Sequence, residues 1–439
     1  MNRRDFMKSA LVVSLAGALA PVAKAGEGAA AVGGKAHPLA GKKLPAWKPG
    51  EFQVHFIYTG VAESMFWILP DGTTMLLDCG CHEAIQRGHL AVHVLPNGRR
   101  HASEWIARYV ERVNPAKTSV DYMMLSHYHS DHSGNDNWGE GRFAWGRHSI
   151  CRSGFAQAAE TLTFGKAFDR GWPTFDEPIP CVRCGQDSLE HVQKTYEWLQ
   201  RRDGLKIEKF KVGAVNQVAM LKNAAAYPDF KITNICANGK ILTRDGGIRD
   251  LYAEFHNARS LNENAMSLGM IVQYGPFRFF TAGDFSDSPR LPDGSRRNIE
   301  NELGRELDPV DVAKINHHGH HAMPAGLVGA LQARVWTACI WDQLHCTADT
   351  MAILGDRNVY PGERLIAPGM FPAERREEDA KASWLADVAP ESFTGCHVVV
   401  TVPPKASTYT VACVNARDEQ MLVTGAYELK VRGLSCCTR

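Results

Sequence analysis

The sequence predicts an α/β sandwich whose loops form one active face. Three observations carry that reading. Short apolar runs with strand character are interleaved with helix-patterned segments. Histidines and aspartates gather where those runs end. Apolar residues make up 44% of the 439, enough for a full core. The net charge of +1 gives no electrostatic case for general nucleic-acid or membrane-surface binding.

The N-terminus reads as a targeting segment. "MNRRDFMKSA" supplies the charged start, "LVVSLAGALA" a ten-residue apolar run too short to span a membrane, and "AKA" a small-residue cleavage site. Residues 1–25 are therefore expected to be a secretory leader. Arg3 and Arg4 in "RRDFMK" resemble the twin-arginine signal, whose route exports folded proteins. The expected location is periplasmic or secreted. No other segment approaches a membrane span. Residues 26–50, rich in Gly, Ala, Pro and Lys, read as a linker or surface arm.

Strands follow. "FQVHFIY" alternates, and "SMFWILPDGTTMLLDCG" reads as a hairpin of two apolar runs around "PDG", ending on Asp78. "HASEWIARYVERV" spaces Trp105, Ile106, Tyr109, Val110 and Val113 as a helix face. "VDYMMLS" is a short apolar strand. Residues from about 140 to 230 read as an insertion, with "SLEHVQKTYEWLQRR" an amphipathic helix capped by Ser188. "TNICANGKILTRDGG" predicts a hairpin on "ANG", and "AMSLGMIVQYGPFRFFTAGD" two strands ending on Asp284. "VDVAKINHHGHH" runs from a strand into four histidines. "RVWTACIW" is a further strand, followed by His345. "HVVVTV", "YTVACVN" and "QMLVTGAYEL" predict antiparallel strands in a C-terminal β extension, residues 390–439.

The twelve cysteines fit an oxidising destination, where disulfides are plausible. Cys181 and Cys184 in "CVRC" have metal-site spacing, but no second pair of that spacing exists to complete a zinc ribbon. A local disulfide or two separate pairings is expected. Adjacent Cys436 and Cys437 pair elsewhere or stay free.

The chemistry concentrates in "MLSHYHSDHSGN", residues 123 to 134. His127, His129, Asp131 and His132 fall within six positions behind an apolar strand. Such groups are costly to bury unpaired. Ligation of metal ions explains them: imidazole and carboxylate suit zinc, iron or manganese, and a set this dense can hold two ions. Gly134, Ser130 and Ser133 let the backbone turn closely. The competing reading is a polar surface turn rich in histidine.

"HYHSDHSGN" resembles the H-x-H-x-D-H signature of the metallo-β-lactamase superfamily. Asp78 in "LLDCG", Asp284 in "FFTAGD" and "KINHHG" resemble its later motifs, in the expected order. More specifically, residues 52 to 350 resemble the β-lactamase-like domain of the competence DNA-uptake protein and related secreted phosphoesterases. "NENAMSLGMIVQYGPFRFFTAGD" is similar to that group's asparagine-led strand pair, and "WDQLH" to its closing histidine motif.

The resemblance implies a four-layer αββα sandwich over residues 51–389, with a helical insertion and the C-terminal β extension. It implies two divalent ions, with zinc leading and iron or manganese as alternatives. His127 and His129 would hold one ion. Asp131, His132 and one of the His317–His318 pair would hold the other, with Asp284 bridging. It favours His318 as ligand and His317 as phosphate contact or proton donor. Strand alternation would turn these neighbours to opposite sides. Asp131 could also accept a proton. Asp78 is expected to orient a ligand, and Lys314 to be structural. His345 borders the site as pocket wall or as a capping residue, and His320 and His321 are weighed in the same way. In one respect the chain departs from the family. A further histidine ligand often falls between the first motif and the bridging aspartate, and His148, His191 and His256 occupy that interval without a motif.

The implied reaction is hydrolysis by a water activated between the ions, with a phosphodiester or other small molecule as substrate. An aspartate in the bridging position sets the chain apart from the β-lactamases of that family. A lactone, thioester or amide substrate is the alternative. A metal-binding protein without catalysis, or a di-iron redox enzyme, is the reading from a different class.

Overall fold

Phe52–Phe56 was expected to alternate between buried and exposed, yet all five of its residues are buried. The reason is its place in a computed structural model of the chain. It lies inside a ten-stranded sheet, between Cys396–Val402 and Met65–Ile68, and both faces of that sheet are covered. Phe52, Val54 and Phe56 join an apolar core, while Gln53 and His55 pair with each other on the opposite face. The structure describes residues 33–432 apart from 35, 82–93, 137–140, 256–261, 292, 343, 372–378 and 406. The expected leader, His256 and the Cys436–Cys437 pair lie outside the described residues. Val32–Arg439 cluster as one unit.

The fold is mixed α/β, built on two large sheets and a small hairpin. In the first sheet the order is Gly33–Gly34, Val423–Lys430, Thr408–Asn415, Cys396–Val402, Phe52–Phe56, Met65–Ile68, Thr74–Leu77, Ser119–Met124, Thr163–Asp169 and Lys206–Lys209. In the second it is Ile248–Asp250, Lys240–Leu242, Phe230–Ala237, Gly269–Tyr274, Phe277–Thr281, Val312–Lys314, Val335–Thr337 and Leu365–Ala367. The C-terminal strands are thus hydrogen-bonded into the first sheet. The insertion carries the expected helix, Leu189–Asp203, and also two strands that extend that sheet in parallel. Gly165 and Lys166 hide the apolar pattern of the first of them.

Side-chain alternation divides the core as a pleated strand requires. Met65 and Trp67 of one strand, with Val272 and Phe279 from the other sheet, fill one apolar cluster. Phe66 and Ile68 turn the other way, onto a cluster with Trp105, Ile106 and Val110 of the helix Ala102–Val113. Phe280, Ala313 and Trp336 of the second sheet face a third cluster, with Leu327, Val328 and Leu331 of the helix Ala325–Leu331.

The expected disulfides do not form among the described residues. All ten described cysteines are buried, and Cys79, Cys181, Cys184, Cys236, Cys339, Cys396 and Cys413 are free thiols. Cys181 and Cys184 lie in and just after a single tight turn, Cys181–Arg183, and pack into different apolar clusters.

Candidate metal centre

The site residues follow the ends of strands that run in one direction. Asp78 follows Thr74–Leu77, the first histidine motif follows Ser119–Met124, Asp284 follows Phe277–Thr281, and the histidine pair follows Val312–Lys314. Consecutive members of this series are parallel within each sheet, so the residues gather at one edge.

The motif is fixed by backbone contact. Cys79 and Cys81 donate their amides to His132 and Ser130 carbonyls at 2.8 and 2.9 Å, and Glu63 donates its own to the Asp131 carbonyl at 2.8 Å. Gly80 sits so close that a Cβ there would lie 1.5 Å from the Asp131 carbonyl oxygen, so only glycine fits.

Asp284 is the hub. Its Oδ2 lies 3.1 Å from His132 Nε2, 3.2 Å from His318 Nε2 and 3.9 Å from His127 Nε2. Asp131 Oδ2 lies 2.9 Å from His318 Nε2 and 3.5 Å from His132 Nε2. His127 Nε2 faces His129 Nδ1 at 3.0 Å. These side chains are buried, except for the partly exposed His129.

The far ring nitrogens have their own partners. His132 Nδ1 meets Asp78 Oδ2 at 2.8 Å, His318 Nδ1 meets the Cys339 carbonyl at 2.8 Å, and His127 Nδ1 meets Ser126 Oγ at 3.0 Å. His129 Nε2 is 3.4 Å from the Gly185 carbonyl. With a metal bound, those acceptors would take the far N–H of each neutral ring and leave the near nitrogen free to ligate. An outer carboxylate, carbonyl or hydroxyl on each histidine is the pattern that metal ligands show. The donor set therefore fits divalent ions.

Charge agrees with the geometry. Burial lowers His132 and His318, but the carboxylates outweigh it and hold both well above the ordinary imidazole range: chiefly Asp284 and Asp131 for each. Burial would raise Asp131 and Asp284, yet the neighbouring histidines hold both well below the usual carboxylate range. A centre that favours positive charge on its rings and negative charge on its acids also favours a cation between them.

Sequence reasoning missed Glu63. Glu63, His132, Asp284 and His318 form a buried group whose ligand atoms all lie within 4.8 Å of one another. Glu63 approaches His318 from the Nδ1 side, at 3.2 Å, and ion-pairs with Lys314 Nζ at 3.0 Å. Asp131 approaches the Nε2 side. Glu63 therefore stands behind the histidine and Asp131 in front of it. The available signal was an acid inside the apolar hairpin run "VAESMFWIL". Lys314 is fully buried and also donates to the Gly283 carbonyl at 2.7 Å.

His317 and His318 do separate, but not by strand alternation. Both lie beyond the strand in the turn Asn316–Gly319, with left-handed backbone at φ 48° and 50°. Non-glycine residues adopt that conformation only where the surroundings enforce it. His317 turns away from the hub, its ring between Asn264 Nδ2 at 3.2 Å and Ser286 Oγ at 3.3 Å. Burial pushes its pKa down to about 4. His345 is 5% exposed and stacks on His318 with centroids 5.2 Å apart and an interplanar angle of 11°. His320 is half-buried near His345, and His321 pairs with Asp349 at the surface.

The other histidines of the departing interval are elsewhere. His191 bonds Asp136 and the Ser153 carbonyl, and His148 stacks on Trp145 in an exposed hairpin. Among the described residues, no helix is long and apolar enough to cross a membrane.

No protein-family model matches the chain, and no curated protein does. Among solved structures it is similar to a protein from Parabacteroides distasonis, provisionally named a metal-dependent hydrolase. Identity is 13%, the alignment covers 75% of this chain and 98% of that one, and the TM-score is 0.33, a likeness too distant to support a functional argument.

Proposed function

We propose that this chain is an exported hydrolase with the metallo-β-lactamase layering, using two divalent ions on a phosphodiester-type substrate. One observation supports it above the rest: three imidazole Nε2 atoms converge on Asp284 Oδ2 within 3.9 Å, two of them shared with Asp131. His127 and His129 would hold one ion, Asp131, His132 and His318 the other, and Asp284 both. Zinc leads, with iron and manganese as alternatives of the same donor chemistry. Two such ions supply Lewis acidity and a water acidified to a pKa of about 7.

The chain's own residues do the rest. Asp78, the Cys339 carbonyl and Ser126 keep the histidine rings turned with Nε2 inward. His317 lies beside the hub without facing it, Nε2 bonded to Asn264 and Nδ1 to Ser286, and would meet a substrate oxygen by exchanging one of those bonds. His345 walls the centre beside His318. Two sheets with helices packed outside each support the four-layer reading.

Export of a folded chain suits its buried thiols. Free cysteines such as Cys79, Cys181, Cys184, Cys236, Cys339, Cys396 and Cys413, folding in an oxidising compartment, would invite mispairing. Folding in the reducing cytoplasm buries them first. Burial also raises Cys79, Cys236, Cys339 and Cys413, with the Cys396 thiol the larger cause at Cys413, and so keeps the thiolate scarce.

The choice of phosphodiester rests on the motif resemblance, and lactone, thioester and amide substrates are its competitors. Metal analysis of the purified protein, with a panel of phosphodiester, phosphomonoester and lactone substrates, tests it. Two ions with turnover of the diester alone is the expected result. Two ions with lactone turnover alone would reassign the substrate, and a protein without metal would overturn the reading.

A further inference from the structure

The described residues contain a second buried ionic centre, and the chemistry above does not use it. Arg170 and Glu263 are both 0% exposed. Arg170 Nε and Nη2 donate to the two Glu263 oxygens at 2.9 and 2.5 Å, a bidentate pair. Nη1 donates to Asn238 Oδ1 at 2.9 Å, and Asn238 Nδ2 returns a bond to the Arg170 carbonyl at 2.8 Å. Burying two charges costs several kcal/mol per ion and is repaid only by good geometry and further hydrogen bonds. A pair satisfied this fully, outside any apolar necessity, points to something it holds.

What it holds is Tyr128, the residue between His127 and His129. Glu263 Oε1 accepts the Tyr128 amide at 2.8 Å. The Arg170 guanidinium lies over the Tyr128 ring, 4.4 Å from its centroid. The Tyr128 hydroxyl donates to Asp169 Oδ1 at 2.6 Å, and Asp169 is the neighbour of Arg170 in the chain. The amide, ring face and hydroxyl of one residue are thus fixed by three adjoining groups. On the other side Glu263 precedes Asn264, which bonds His317. One buried pair therefore reaches both histidine loops.

We propose that the Arg170–Glu263 pair is a positioning clamp that sets the spacing of His127 and His129 and so the affinity of the ion they hold. The inference rests on the reading that these histidines bind metal. His132 packs against His127 with ring centroids 4.1 Å apart but turns its Nε2 to Asp284 and Asp131. His127 and His129 are joined through Tyr128 alone, so their relative placement follows how that residue is held. Neither Arg170 nor Glu263 is a catalytic residue.

The test is zinc binding by equilibrium dialysis with a competing chelator, on the full chain and two variants. Arg170→Lys keeps the charge but loses the fork and the flat ring contact. Arg170→Met with Glu263→Gln removes both charges together, so no buried charge is left unpaired. The expected result is two zinc ions in the parent and, in each variant, one ion retained at parental affinity and one weakened by about 10- to 100-fold. Cobalt substitution should show the spectrum of one site altered and the other kept. Parental affinity at both sites in either variant would overturn the clamp. So would loss of cooperative unfolding in both, which would make the pair a support of the whole fold. His127→Ala with His129→Ala separates the underlying reading. If that variant still binds two ions, the metal assignment itself fails, whatever the clamp variants do.

Discussion

Asp78 Oδ2 lies 2.8 Å from His132 Nδ1, and this contact decides which face of the imidazole meets Asp284. Asp78 also accepts from the Ser126 amide and hydroxyl, each at 2.7 Å, so it ties the strand end to the motif. Its own backbone is left-handed, at φ 59°. Asp78→Ala should leave every ligand in place and still weaken metal binding by about 10- to 100-fold, because His132 loses the acceptor that fixes its tautomer. Chelator competition reads the change. Unaltered affinity would mean that packing alone aims the ring.

His317 and His318 should part company. His318→Ala removes a nitrogen that faces both Asp131 and Asp284, and should lose one ion and nearly all turnover. His317→Ala should keep both ions. Its cost should be about 10- to 100-fold, the worth of one hydrogen bond to a charged oxygen. That cost should stay uniform across leaving groups. A cost that shrinks steeply with better leaving groups would make His317 the proton donor, and loss of metal in His317→Ala would exchange the two roles.

Acid lability should trace in part to two histidines far from the centre in sequence and role. His55 lies between Tyr109 Oη at 3.0 Å and Gln53 Oε1 at 3.2 Å, and His397 Nδ1 accepts the Tyr58 amide at 3.0 Å. Burial pushes both down to about 3, with the charge of His55 and then that of Arg112 lesser causes at His397. Both are neutral in the fold, while the unfolded chain binds protons near the ordinary value of about 6.5. Stability is therefore fully present above that pH and is lost as pH falls towards 3. At pH 5 each group costs about 2 kcal/mol. The double variant His55→Gln with His397→Gln should lose about 4 kcal/mol less than the parent between pH 7 and pH 5, read by urea denaturation. Equal losses would place the acid sensitivity elsewhere.

Export should depend on the paired arginines. Arg3→Lys with Arg4→Lys should retain the chain in the cytoplasm, followed by cell fractionation. Undiminished export would point to the general secretory route, and the advantage of folding before transit would lapse.

Much of the fold was legible because apolar runs and turn residues agree. The "PDG" and "ANG" hairpins appear where expected, as do the helices from 102 and from 189. The site was legible where ligand-type residues sit in one short motif behind a strand. What the sequence hid depends on contacts between distant segments. Glu63 and Arg170 are single charges without a pattern, and only the fold brings Glu63 to Lys314 and Arg170 to Glu263. The separation of His317 from His318 is set by left-handed backbone, which residue types other than glycine do not announce. The cysteine spacing misled because both thiols are buried in the packing, in different apolar clusters, rather than joined.

The most direct test is metal content and phosphodiester turnover measured together on Asp284→Ala. Asp284 Oδ2 is the one atom that three ligand-type histidines share, so in the proposed centre its removal would take a donor from both ions at once. The parent should carry two ions per chain and turn over the diester. The variant should lose metal and hydrolysis together, with its cooperative unfolding kept. Two ions and parental turnover in a folded Asp284→Ala chain would contradict the bridging carboxylate and the dinuclear centre built on it.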